Sequence, residues 1–203
     1  MKKYSENTLR YLFDERVAAN VAAGFLSLAG GKLDLLKLMK LMYLAERKSY
    51  ELYAEPIIGD RLVSMDRGPV LSMTLDRMNG VGKQIPGGWD DWVSDKARHT
   101  LSLRKKLKVW QKECRMLSSD QVKIIEDIWE QFKDYGTFEL VDYTHNPQNC
   151  PEWVDPEGSS TAIDLKSLFG HLGFNRDKID SALSDLTEQA EIRKAFAFIE
   201  DAS

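Results

Sequence analysis

The sequence predicts a mainly α-helical (α+β) fold: a single compact helical domain over residues 1–203, built around one central apolar helix, with a small β-hairpin or short strand element. Three observations carry this. Residues 34–53 are apolar around nearly the whole circumference of a helix. Residues 7–28 and 118–135 repeat apolar side chains at three- and four-residue steps. A short run, Leu62–Met65, has extended character and closes in Gly68-Pro69.

The elements follow in order. Leu9, Leu12, Phe13, Val17, Val21 and Phe25 give a helix over 7–28, stopped by Gly30-Gly31. Asp34 is placed to cap the next helix, and Pro56 ends it. In that helix Leu35, Leu36, Leu38, Met39, Leu41, Met42, Tyr43 and Leu44 cover most directions, which belongs at the centre of a fold. Lys37, Lys40, Leu44, Arg47 and Glu51 mark its mostly polar stripe. Gly68-Pro69 makes a turn, and Pro69 suits the first position of a short helix over 70–78.

The glycine-rich stretch 79–91 predicts a loop, the start of an inserted basic loop or hairpin around 79–110 in which Trp92-Val93 pairs with Thr100–Leu103. Ser118 and Gln121 form a capping-box pair ahead of the stripe Val122, Ile125, Trp129 and Phe132, with Gly136 as the stop. Thr137 caps a short helix that Pro147 ends. A proline-rich loop spans 146–161, Ser160 caps a helix bearing Leu165, Leu168 and Phe169, and Asn175 caps the last helix, which runs toward Phe196–Ile199.

Composition bounds the function. The chain has 203 residues, enough to bury a core without disulfides. Neither a transmembrane run of about eighteen apolar residues nor the uninterrupted apolar stretch of a secretory leader is present. Two cysteines, Cys114 and Cys150, are expected as free thiols in a cytoplasmic protein. Charge is sorted along the chain: residues 1–95 are neutral, 96–115 hold 8 basic and 1 acidic residue (+7), and 116–203 hold 7 basic and 18 acidic (−11). The net charge of −4 argues against a general nucleic-acid binder. The basic stretch, with Arg104, Lys105 and Lys106 at its centre, either lies on the chain's own acidic half, is simply solvated, or meets an acidic partner.

Catalytic constellations are absent from the sequence pattern. His145 and Cys150 are five apart across a proline loop with no second ligand pair, so no metal site is expected. Basic neighbours could depress the Cys114 pKa, but a packed thiol is the plainer reading. The glycines at 80, 82, 87 and 88 lack the setting of a phosphate loop. Residues 163–186 have the spacing of a helix-turn-helix, yet Asp177, Asp180 and Asp185 would repel DNA from its reading helix. No catalytic residue, cofactor or metal ligand is assigned.

Three ordered blocks resemble the Panacea domain, the SocA-like antitoxin domain also described as a phage-associated protein. The first, residues 37–70, contains Lys40, Leu41, Met42 and Tyr43, then Pro56, then Gly68, Pro69 and Val70. The second, 121–145, carries Tyr135-Gly136, Glu139-Leu140 and Thr144-His145; the third is Pro151 and Trp153. The set spans roughly residues 10–190. Ala54 stands where the family often has glycine, and the 79–108 loop looks longer than the family's. The resemblance implies a protein that binds and neutralises a toxin of a bacterial or phage two-gene system without catalysis, or an adaptor that presents the toxin to a protease. A DNA-binding regulator is the alternative from a different class. Asp66 and Arg67 at the turn, His145, Trp153, and Arg104, Lys105 and Lys106 are the expected partner contacts. The partner is a neighbouring-gene toxin; neither nucleic acid nor membrane is expected, and the oligomeric state is open.

Overall fold

The computed structural model describes residues 6–94 and 97–200. Lys96, which opens the basic stretch, and Met1–Ser5, where a leader would begin, lie outside the described residues.

The helix expected over 7–28 is broken in two. A short helix α1 (Glu6–Leu9) leads into a 3-10 turn (Arg10–Leu12), and α2 begins anew at Glu15–Leu28. Asp14 causes the restart. Its Oδ1 accepts from Arg16 N (2.9 Å) and Val17 N (3.3 Å), and its own N–H donates to Ile58 O (3.0 Å). A capping carboxylate between two apolar runs starts a new helix, and the two runs pack on different elements, the first on the last helix and the second on the central one.

Strand β1 (Lys32–Asp34) then enters α3 (Leu35–Tyr53), with Asp34 Oδ1 capping Leu36 N and Lys37 N as its sequence position predicts. Leu38, Met39, Leu41, Met42, Tyr43, Ala45 and Tyr50 are at most 1% exposed, so α3 is the core of the molecule. Around it pack α2, α7 (Ser119–Phe132), α8 (Thr137–His145) and β3 (Gly68–Leu71). One assignment changes. Lys40 is not on a polar stripe; it is fully buried, and its Nζ donates to Pro69 O at 2.8 Å.

β2 (Leu62–Met65) and β3 form an antiparallel hairpin, and β5 (Thr161–Ala162) adds to the far side of β2. Gly68 and Pro69 therefore do not form the turn, which falls at Asp66-Arg67; Pro69 lies in an edge strand, where its missing N–H costs no ladder bond, rather than opening a helix. Helix α4 (Ser72–Met78) has no cap from Leu71. Asp60, eleven residues earlier than Leu71, caps it from across the hairpin by accepting from Met73 N (2.9 Å), Thr74 N (2.7 Å) and Thr74 Oγ1 (2.7 Å). Fully buried Glu46 does the same for the segment after α3, accepting from Ile57 N, Ile58 N and Gly59 N at 2.8–2.9 Å.

The 79–110 stretch contains α5 (Trp89–Trp92), β4 (Thr100–Ser102) and the start of α6 (Trp110–Glu113). The expected pairing is present as a Val93–Leu103 bridge, but β4 takes β1 as its main partner, with Leu33 opposite Leu101. Helix α7 carries the Ser118–Gln121 capping box in both directions. It stops at Phe132, before Gly136, and Lys37 Nζ satisfies the carbonyls of Lys133 (2.8 Å) and Tyr135 (2.6 Å). Gly136 instead starts α8. Beyond the proline loop, Asp164 rather than Ser160 caps α9 (Leu165–His171), and Asn175 caps α10 (Arg176–Glu200) through Lys178 N.

Candidate interaction surface

The hairpin tip is the first part of the site. Met65 pairs with Gly68, so Asp66 and Arg67 form a two-residue loop, and Gly68 behind it takes φ +90°. A hairpin loop that passes its left-handed residue to glycine keeps the two loop residues in ordinary conformations and turned to solvent. Both are exposed. Asp66 Oδ1 accepts from Gly158 N at 3.2 Å, which ties the proline loop to the tip.

His145 and Trp153 support the hairpin. Their rings stack at 4.1 Å with a 14° tilt, and Trp153 Nε1 donates to Met65 O at 3.0 Å. A Cβ on Gly68 would stand 2.7 Å from Thr144 Oγ1, 2.8 Å from Lys40 Nζ and 3.1 Å from His145 Cδ2. The hairpin thus rests directly on the end of α8 and on the buried lysine. Burial, then the Lys40 ammonium, holds the His145 pKa below its usual value, which disfavours the charged form. Its Nε2 is buried and has no partner among the described residues.

Beneath the hairpin a polar cluster joins α3 to the loop. Tyr43 Oη and Arg47 Nε both donate to Glu152 Oε1 at 2.7 Å, and Arg47 Nη2 reaches Oε2 at 3.4 Å. Cys150 lies in the same region, and burial pushes its thiol up to about 12. Desolvation likewise lowers the Lys40 ammonium to about 7. This cluster is enclosed. It fixes the walls of the site and offers little of itself to solvent.

The open feature lies in front of the tip. A groove of about 650 Å³ runs between the start of α3, the hairpin, α4 and the start of α8. Leu36, Met39, Met65, Val70 and Leu75 give it an apolar floor; Asp66, Arg67 and His99 stand on its rim. Phe138 lines it while remaining 71% exposed. The structure therefore brings Asp66 and Arg67 to the groove, and His145 and Trp153 behind them. Arg104, Lys105 and Lys106 are elsewhere. Arg104 Nε donates to Val93 O (3.2 Å), and Lys105 lines a separate cavity of about 390 Å³ with Asp91, Trp92, Glu113 and Arg115.

Phe138 was missed, although its signal is local. The buried residues of α8 are Leu140, Val141 and Thr144, and Phe138 falls at the flank of that stripe, one turn before Val141. An aromatic side chain off the apolar stripe is an interaction residue until something covers it. Among the described residues no three His, Cys, Asp or Glu side chains are grouped to hold a metal ion, and no helix is long and apolar enough to cross a membrane.

Comparison with known proteins gives one result. The family model described as "Antitoxin SocA-like, Panacea domain" matches residues 38–153. Neither the curated proteins nor the solved structures yield a match. The matched span holds the hairpin, the buried cluster, His145, Trp153 and most of the groove, including Phe138.

Proposed function

Because the chain belongs to the SocA-like antitoxin family with a Panacea domain, we propose that it binds a cognate toxin in the cytoplasm and neutralises it by covering part of its surface, without catalysis. The observation that carries this reading is the coincidence of the family match with an open, apolar-floored groove edged by the exposed Asp66–Arg67 tip. Apolar area with a polar rim is the surface character of a protein–protein contact. The whole chain acts as one unit in this reading, with 79–110 as its insert; a buried core shared from Leu12 to Ala190 supports that.

The test is co-expression. The neighbouring gene is expressed alone and together with this chain, and growth is followed. Toxicity alone and rescue in the pair is the expected result. A neighbour that is harmless alone, or equally harmful in the pair, overturns the reading. Toxin abundance by immunoblot separates occlusion, which leaves it unchanged, from delivery to a protease, which lowers it.

A further inference from the structure

Resting on that reading, we infer that the groove receives an amphipathic helix of the toxin, whose apolar face fills the floor and whose carboxylate meets Arg67 at the rim.

Backbone accounting selects a helix over a strand. Extended peptides bind by adding to an open sheet edge. The edge of β3 beside the groove is closed: Pro69 O takes the Lys40 ammonium, and Leu71 N donates to Met39 Sδ at 3.3 Å. What remains is side-chain surface, with Leu36 and Met39 one turn apart on α3, Met65 and Val70 from the hairpin, and Leu75 from α4. Such a trough suits knobs at i, i+3 and i+4, and the half-buried Met65 lets it adapt to them. Phe138, mostly in solvent, stands at its side as the aromatic anchor such interfaces concentrate their binding energy on.

The sign of the partner's charge follows from which polar groups are already engaged. Both rim carboxylates bond to the chain's own backbone: Asp34 to Leu36 N and Lys37 N, Asp66 to Gly158 N. Among the described residues the Arg67 guanidinium has no such partner. Each of those carboxylates spends only its Oδ1 there, whereas the Arg67 fork is wholly unengaged among the described residues, so the strongest free group on the rim is a bidentate donor and a carboxylate is its complement.

The test uses the full chain with the purified neighbouring-gene toxin, binding read by calorimetry and folding by thermal melts. Arg67→Glu and Phe138→Ala are both exposed positions, so their melts should match wild type. Each should weaken binding about tenfold or more, while Lys123→Glu, exposed on α7 and outside the groove, changes it less than twofold. A lysine at one acidic position of the toxin helix should restore binding to Arg67→Glu. If wild type binds and both groove variants bind within twofold of it, the groove assignment fails and the antitoxin reading stands. If wild type does not bind, both fail. If the variants instead alter the chain's own mass in solution and leave toxin binding intact, a second copy fills the groove and the inference is overturned.

Discussion

Lys40 donates to the carbonyl of Pro69 at 2.8 Å with its side chain wholly removed from solvent, so the central helix and the hairpin are joined by one buried ammonium. Removing a cation from water costs several kcal/mol, and one carbonyl offsets only part of it. The group therefore releases its proton near pH 7 in the fold, against 10.5 for an ordinary lysine.

That difference sets a pH dependence. Between about 7 and 10.5 the unfolded chain holds the Lys40 proton and the folded chain does not, so stability rises with pH there, on the order of 1 kcal/mol per unit. Glu46 acts in the opposite sense below. Burial raises its carboxyl from 4.5 to about 7, so its contribution is present below 4.5 and lost as pH rises to 7. Urea unfolding should show a gain from pH 7 to 9 that is absent in Lys40→Met. Equal slopes in the two proteins would show that Lys40 keeps its proton in the fold.

Gly68→Ala should be among the most damaging single-methyl additions. The position has φ +90°, and a Cβ would press on Thr144 Oγ1 and Lys40 Nζ at 2.7 and 2.8 Å. Backbone strain and crowding together predict a loss of about 2–4 kcal/mol. Gly30→Ala is the control: it also has positive φ, but nothing stands within 4 Å of its Cβ, so it should lose about 1 kcal/mol. Similar losses at the two positions would mean that the hairpin does not rest on α8.

What was legible in the sequence is what local chemistry decides. The Asp34 cap, the Ser118–Gln121 box and the α3 stripe all depend on residues within a few positions of each other, whereas the turn expected at Gly68-Pro69 falls two residues earlier, at Asp66-Arg67. Four assignments went differently because the deciding partner is distant in the chain. Lys40 looks polar by spacing and is buried by a carbonyl 29 residues away. The start of α4 looks like the work of Pro69 and is capped by Asp60 from across the hairpin. The end of α7 is completed by Lys37 of another helix rather than by Gly136. The groove draws on α3, the hairpin, α4, His99, α8 and the proline loop, so only the residues of its tip were visible.

Glu152 should be the residue on which the proline loop depends. Its side chain is fully buried and receives Tyr43 Oη and Arg47 Nε. Glu152→Ala leaves the largely buried Arg47 without its carboxylate and should cost about 3 kcal/mol, whereas Tyr43→Phe removes one neutral donor and should cost about 1 kcal/mol. Limited proteolysis should then cut within 146–161 of the Glu152→Ala protein under conditions where wild type resists. Equal losses for the two variants would reduce the cluster to a single hydrogen bond.

The two thiols should be silent in the native protein. Cys114 lies at the end of α6 next to a basic stretch, a setting that could favour a thiolate. Instead its side chain is wholly buried while Arg104, Lys105, Lys106 and Lys108 are exposed to water, which screens them. Burial pushes its pKa up to about 12, with Glu113 adding to the rise. Cys150 reaches the same value although Arg47 and Lys40 pull the other way, because desolvation is the larger effect. At pH 8 the folded chain then carries about one thiolate in ten thousand at either position, against roughly one in ten for a thiol with the ordinary pKa of 9.0. Ellman's reagent should titrate almost no thiol in buffer and both in denaturant, with native labelling as slow as global opening. Prompt reaction of one thiol in the folded protein would place that cysteine in a water-accessible, cation-facing pocket and remove it from the core.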